Sequence, residues 1–148
     1  MKLFVFTVVF LFVSSAMFAS ADENPTLKRV LELYKRKDFK EINKIASEYI
    51  RTQEELHQDD KVIKLYFHTE NDLQKLDSLL DQIYKNTDEV SSKFHTLTYM
   101  LMEKSLLAEQ FDIGVKWGDV YRKEAKSKKT KYIKGLYLYS CLLYKANK

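Results

Sequence analysis

The chain is organised around residues 73–84, which read LQKLDSLLDQIY. Its apolar side chains recur three, three, one, three and one positions apart, and these intervals place them on one stripe of an α-helix. The stripe consists of Leu73, Leu76, Leu79, Leu80, Ile83 and Tyr84. The stretch therefore predicts an amphipathic helix whose apolar stripe packs into a core.

The same intervals return on both sides of this helix. Thirty-four residues earlier they give Phe39, Ile42, Ile45, Ala46, Tyr49 and Ile50. Thirty-eight residues later they give Phe111, Gly114, Trp117, Gly118, Tyr121 and Arg122. Helices that recur at a period of 34 to 38 residues are the signature of a stacked helical-repeat protein.

The composition favours an all-α fold. The chain has 45% hydrophobic residues, and its 3 Gly and 1 Pro are too few for the many turns of a β-sandwich. The formal net charge of +4 is too small to indicate a particular partner. Cys141 is the single cysteine, which excludes an internal disulfide and a multi-cysteine metal site within one chain.

An export signal precedes the helices. Lys2 is followed by an almost wholly apolar run from Leu3 to Phe18, and Ala19 and Ala21 supply the small-x-small pattern of a signal-peptidase site. We expect cleavage before Asp22, so that residues 1–21 are a signal peptide and the protein reaches the periplasm or the extracellular space. An uncleaved anchor is the alternative, although the run is shorter than the roughly 20 residues that span a bilayer.

Short polar residues mark the helix starts in the first half of the chain. Thr26 is expected to cap the first helix, Asp38 the second and Asp72 the fourth. Asp59 and Asp60 stand at the start of the third helix, where carboxylates are favourable.

The second half predicts three more helices. A longer helix is expected from Asp88 to Leu107, followed by the helix that starts at Phe111. Arg122 to Lys131 predicts a hydrophilic connection, and Thr130 to Lys148 predicts a last helix that is apolar on nearly every side.

The paired helices resemble tetratricopeptide repeats. The residues that carry this resemblance are Tyr34, Asp38-Phe39, Asp72-Leu73, Leu106, Gln110-Phe111, Gly114, Gly118 and Leu143-Tyr144. It implies antiparallel helical hairpins stacked as a short right-handed solenoid of about three and a half repeats in one domain, residues 22–148. The repeats would be roughly 26–58, 59–87 and 88–126, with a half repeat at 130–148. A related array of helical hairpins fits the same residues.

The resemblance also implies a concave groove lined by the first helix of each hairpin. The groove positions are Lys61, His68, Tyr99, Glu103, Tyr137 and Tyr144. A surface of tyrosine and charge would bind a peptide or helix by stacking and hydrogen bonds. We therefore expect a non-catalytic protein–protein interaction module or scaffold.

The sequence offers no catalytic set. His57, His68 and His95 are scattered and lack the convergent ligands of a zinc site, so neither metal nor cofactor is expected. Cys141 is flanked by leucines, which predicts a buried, inert thiol. Asp77 and Asp81 lie four apart and are expected on a solvated helix face.

The C-terminal region suggests a second function. Lys123, Lys126, Lys128, Lys129 and Lys131 would contact an anionic surface, which for an exported protein means lipid or cell-wall polymer rather than nucleic acid. Together with the apolar last helix, they suggest a membrane-associated envelope protein as the alternative. That helix could also continue a longer array, tuck under its neighbours, or dock a partner or a second copy.

Overall fold

The structure is a computed structural model that describes residues 24–125 and 133–147. These residues form seven helices. These residues contain no strand, which confirms the all-α prediction. The helices are α1 (Pro25–Lys35), α2 (Phe39–Thr52), α3 (Lys61–Thr69), α4 (Leu73–Lys85), α5 (Ser92–Leu107), α6 (Phe111–Ala125) and α7 (Ile133–Ala146). The predicted signal peptide, with Ala19, Ala21 and Asp22, lies outside the described residues.

Side-chain caps fix the starts of the first four helices. Asp38 and Asp72 cap α2 and α4 as predicted, and Asp60 caps α3 by accepting the N–H groups of Val62 and Ile63 at 2.7 and 3.4 Å. The predicted cap of α1 at Thr26 is wrong.

Asn24 caps α1 instead. Its side-chain oxygen accepts the N–H groups of Thr26 and Leu27 at 3.0 and 3.1 Å. Pro25 takes the first helical position, where its missing N–H does no harm, so the cap must stand one residue before it.

The start of α5 also differs from the prediction. The helix begins at Ser92 rather than Asp88, and Ser91 caps it. The side chain of Gln58 accepts the Ser91 N–H at 2.9 Å and donates to the Glu89 carbonyl at 2.8 Å. Residues 89–91 are therefore held as a loop against the start of α3.

The two C-terminal helices lie within one or two turns of their predicted bounds. Helix α6 continues to Ala125, into the segment expected as a connection, and α7 runs from Ile133 to Ala146 inside the predicted 130–148. None of the described helices is long and apolar enough to cross a membrane.

The repeated apolar stripes supply much of the core. In α4, Leu73, Leu76, Leu79, Leu80 and Ile83 are buried, and in α6 the stripe from Gly114 to Tyr121 is buried as well. The α2 stripe is less complete, because Phe39 is 47% exposed and packs edge-on against Tyr34. Trp117 and Tyr121 are core residues, as the sequence predicted.

The odd-numbered helices pack side by side. Contacts join α1 to α3, α3 to α5 and α5 to α7, while α2 lies against α1 and α3, and α6 lies against α5 and α7. The Tyr49 hydroxyl donates to Asp60 at 2.9 Å and accepts from Asn24 at 3.3 Å, which brings the first residues of α1 and α3 together.

The C-terminal ends of α3 and α5 meet as well. The Lys104 ammonium, near the end of α5, donates to the carbonyls of His68 and Glu70 at 3.4 and 2.9 Å, at the end of α3. Gln58 already joins the starts of α3 and α5. Helices α1, α3 and α5 are therefore parallel neighbours in one layer.

Candidate binding surfaces

An exposed apolar stripe runs along α7. Ile133, Tyr137 and Tyr144 are 71%, 71% and 60% exposed. They are four and seven residues apart, so they share one side of the helix. The opposite side buries Leu138 and Leu142, among others, against the rest of the protein. Helix α7 thus packs on its neighbours through one face and presents three large side chains on the other.

The remaining predicted groove residues lie along α3 and α5. Lys61 and Tyr99 are half-buried, whereas His68 and Glu103 are exposed. Lys61 and His68 stand at opposite ends of α3, about 10 Å apart along its axis. These four residues are therefore spread along two parallel helices and do not converge on one point.

His68 lies near two ammonium groups, one on α3 and one on α5. The ring of His68 lies at the surface, yet desolvation lowers its pKa, and the ammonium groups of Lys64 and Lys104 act in the same direction. Desolvation also lowers the pKa of Lys104, against the opposing charges of Glu70 and Glu103. His68 is therefore neutral at pH 7 and can both donate and accept a hydrogen bond.

Tyr99 and Glu103 lie one turn apart on α5. Desolvation raises the pKa of Tyr99, and the Glu103 charge raises it further. The phenol is therefore protonated at physiological pH and can donate a hydrogen bond to a bound group.

A buried carboxylate, Glu70, ties α3 to α4. Its oxygens accept hydrogen bonds from the Tyr66 hydroxyl at 2.9 Å, the Asn43 amide at 3.2 Å, and the N–H groups of Asn71 and Asp72 at 2.8 and 2.9 Å. Desolvation, followed by the Glu70 interaction, raises the pKa of Tyr66 to about 12. This network, which holds a corner of the fold together, was not predicted from the sequence.

Asp77 and Asp81 do not form the solvated face that the sequence predicted. Lys116 donates to Asp77 at 2.8 Å and to Asp81 at 2.7 Å, and the indole N–H of buried Trp117 donates to Asp77 at 2.6 Å. The prediction was wrong because the partners lie on α6, 35 to 40 residues away. These bonds close the seam between α4 and α6.

The corresponding seam between α2 and α4 is open. It holds two adjoining compartments of about 460 and 380 Å³. Both are lined by Ser47, Ile50 and Gln82, so they form one continuous cleft. Sequence reasoning missed it, because a gap between two helices leaves no pattern in either one.

The predicted reactive groups are not brought together. Among the residues that the structure describes, no three His, Cys, Asp or Glu side chains are placed to hold a metal ion. Cys141 is half-buried, so the prediction of a buried thiol was wrong. Lys123 is exposed on α6, and Lys126, Lys128, Lys129 and Lys131 lie outside the described residues.

Comparison with known proteins places the chain in no family. No protein-family model matches it, no curated protein matches its sequence, and no solved structure matches its fold.

Proposed function

We propose that the protein is an exported, non-catalytic interaction module whose odd-numbered helices form the binding face of a short right-handed solenoid of about three and a half repeats. The parallel packing of α1, α3 and α5 supports this arrangement, as does the position of α2 and α6 between successive odd helices. Stacked hairpins of this kind create extended surfaces for partners.

The exposed stripe of α7 is the observation that carries the proposal. Three large side chains, each more than half exposed, stand on one face of a helix whose other face is in the core. Tyrosine is enriched where proteins bind each other, because it buries a large area and still donates a hydrogen bond. The partner is therefore a protein or peptide that covers Tyr137 and Tyr144.

The lysines beside the stripe indicate which kind of partner it binds. Residues 133–147 include Lys134 and Lys145 and no acidic residue. A second copy docking through the same stripe would bring these lysines together, which disfavours a symmetric dimer. An amphipathic partner helix with acidic flanks fits both the apolar stripe and the lysines.

Site-specific photocrosslinking in the producing cell tests the proposal. Benzoylphenylalanine replaces Tyr137, which keeps an aromatic ring at the exposed position. A matched control carries the same group in place of Lys40, an exposed residue of α2. We expect a discrete protein adduct at position 137 and none at position 40. No protein adduct at position 137 would overturn the proposal.

A lipid adduct at position 137 would favour the membrane-associated alternative, in which the same stripe and the lysine cluster contact a bilayer. Flotation with anionic liposomes at low salt then tests the membrane-associated alternative, since co-flotation is expected only for a membrane-bound protein.

Alanine substitution of Tyr137 should weaken binding of an identified protein partner by at least tenfold, as for a central contact of an interface. Tyr99→Ala tests whether the face extends to α5.

Export itself has a direct test. Sequencing the N-terminus of protein recovered from outside the cytoplasm is expected to begin at Asp22. Recovery in the cytoplasm with an intact residue 1 would refute export, and recovery in the membrane would indicate a retained anchor.

A further inference from the structure

The α2–α4 seam differs from the α4–α6 seam in its polar contacts. Among the described residues, no hydrogen bond or ion pair joins α2 directly to α4, whereas Lys116 and Trp117 join α6 to α4 through Asp77. The two seams are therefore built differently, and the α2–α4 seam holds the cleft. Its volume lies within the range of small-ligand sites.

One wall of the cleft carries polar groups at regular intervals. Gln74, Ser78, Gln82 and Asn86 are four residues apart along α4 and its C-terminal cap, and all four line the cleft. Their side chains hydrogen-bond no other residue that the structure describes. Positions four apart on a helix are separated by about 6 Å.

This interval matches an extended polypeptide. Two residues of an extended strand rise about 6.6 Å, so successive backbone amides on one edge of a peptide meet successive groups of the row. A side-chain amide both donates and accepts, as a peptide group does, and can satisfy either edge. The row spans about 18 Å, enough for some five extended residues.

The floor of the cleft is apolar, and basic side chains line its larger compartment. Ile50, Leu56 and Leu79 supply apolar surface at the bottom. Arg51 and Lys85 line the larger compartment with Glu54 as the one acidic residue.

Two of the three basic side chains that line the cleft are already engaged in ion pairs. The Lys75 ammonium, in the smaller compartment, lies 3.8 and 3.7 Å from the carboxylates of Glu70 and Asp72. The Arg51 guanidinium, in the larger compartment, lies 4.0 Å from the carboxylate of Glu48. Among the described residues, Lys85 is therefore the basic side chain of the cleft that has no ion pair.

We infer that this cleft binds an extended peptide segment of about five residues, with an apolar side chain toward Ile50 and Leu79 and an acidic side chain toward Lys85. The site lies between even-numbered helices and shares no residue with the binding face proposed above. It is a second recognition site, for backbone and charge rather than for an apolar helix face.

A random heptapeptide library displayed on phage is the probe. It is panned against the chain from residue 22 onward, which contains every described helix, and enriched clones are measured against three variants. Gln82→Trp fills the middle of the cleft, and Lys85→Glu reverses the charge at its end. Tyr137→Ala removes a side chain of α7 and is the matched control.

We expect the enriched clones to contain acidic residues. Their affinity should fall at least tenfold for the Gln82→Trp variant and at least threefold for Lys85→Glu. Their affinity for Tyr137→Ala should equal that for the wild type. Circular dichroism establishes that each variant is folded, and Lys85→Glu, at an exposed position, keeps the test decisive if Gln82→Trp unfolds. The inference is overturned if no clone enriches, or if the enriched clones respond only to Tyr137→Ala. The second outcome would leave the proposed function of α7 intact.

Discussion

At the scale of single residues, polar groups inside the protein join elements that are far apart in sequence. Asp77 accepts the indole N–H of Trp117, a residue with no exposed surface, across a separation of 40 residues. Glu70 gathers four donors at the corner between α3 and α4. A buried donor or acceptor that loses its partner destabilises the folded state, so these two carboxylates are structural.

Asp77→Ala should lower the free energy of unfolding by about 1–3 kcal/mol, because it leaves the buried indole N–H without an acceptor. Asp81→Ala is the matched control, since it removes only an ion pair with Lys116 at the surface and should cost about 0–1 kcal/mol. Urea denaturation followed by circular dichroism measures both. Equal effects would show that the Lys116 ion pairs, and not the indole bond, dominate this seam.

Glu70 should make stability depend on pH. Burial alone would raise its pKa, but hydrogen bonds from the Asp72 N–H, Asn43, Tyr66 and the Asn71 N–H outweigh burial and hold the pKa below its ordinary value of 4.5. A carboxyl group whose folded-state pKa is lowered stabilises the fold above its unfolded pKa, and this contribution is lost as the pH falls through the folded-state pKa.

We therefore expect the free energy of unfolding to fall as the pH drops below about 4.5, and Glu70→Gln to flatten that dependence. Urea denaturation of the wild type and the variant at a series of pH values measures the difference. Glu103→Gln, at an exposed position of α5, is the control and should leave the profile unchanged. A Glu70→Gln profile that matches the wild type would show that other carboxylates govern acid unfolding.

At the scale of helices, the contact between α6 and α7 depends on glycine. A Cβ atom added at Gly118 would fall on the ring of Tyr139, whose hydroxyl donates to Asp119 at 2.6 Å. A Cβ atom at Gly114 would instead lie 2.6 Å from the Cδ2 atom of Leu142, the far end of a flexible side chain. The two glycines of α6 are therefore unequal.

Gly118→Ala should destabilise the protein by about 1–3 kcal/mol, because the Tyr139 ring must move and α7 with it. Gly114→Ala should cost less than Gly118→Ala, because its closest contact is the end of the Leu142 side chain and alanine favours the helix by about 1 kcal/mol over glycine, although the buried Leu142 and the Ser105 Cβ at 3.1 Å leave little room. Thermal unfolding by circular dichroism compares them. A Gly114→Ala variant as unstable as Gly118→Ala would mean that Leu142 is as fixed as the tyrosine.

The existence of the helices could be predicted from the sequence because apolar periodicity and caps are local. Asp38 and Asp72 each cap a helix from the residue just before its start, as predicted, and Asp60, expected near the start of α3, caps that helix. The start of α5 could not be predicted, because Gln58 fixes Ser91 from 33 residues away. The partners of Asp77 and the α2–α4 cleft could not be predicted for the same reason, because both result from packing between helices that are distant in sequence.

At the scale of the whole molecule, packing is uneven along the chain. Helix α5 contacts α3, α4, α6 and α7, whereas α1 contacts α2 and α3. In an array where each element is stabilised by its neighbours, an end with fewer neighbours opens more readily than the middle. The first two helices should therefore unfold locally while the α5–α7 region persists.

Amide hydrogen exchange should show this gradient, with slowest exchange in α5 and faster exchange in α1 and α2. Two matched substitutions of buried leucines sharpen the test, each expected to cost about 2–5 kcal/mol locally. Leu31→Ala in α1 should speed exchange mainly in α1 and α2, whereas Leu101→Ala in α5 should speed it throughout. Uniform acceleration by both variants would indicate one cooperative unit.

The burial of Trp117 has an optical consequence. It is the single tryptophan of the chain, it lies wholly inside, and its ring packs against Tyr84 of α4 and Phe94 of α5. Tryptophan emission, excited selectively at the long-wavelength edge where tyrosine does not absorb, therefore reports on α4, α5 and α6, whereas tyrosine emission would also come from Tyr34 of α1 and Tyr49 of α2. Opening of α1 and α2 would leave the tryptophan emission unchanged. The separation between a tryptophan-fluorescence melting curve and a circular-dichroism melting curve therefore measures how far the two ends of the molecule unfold independently.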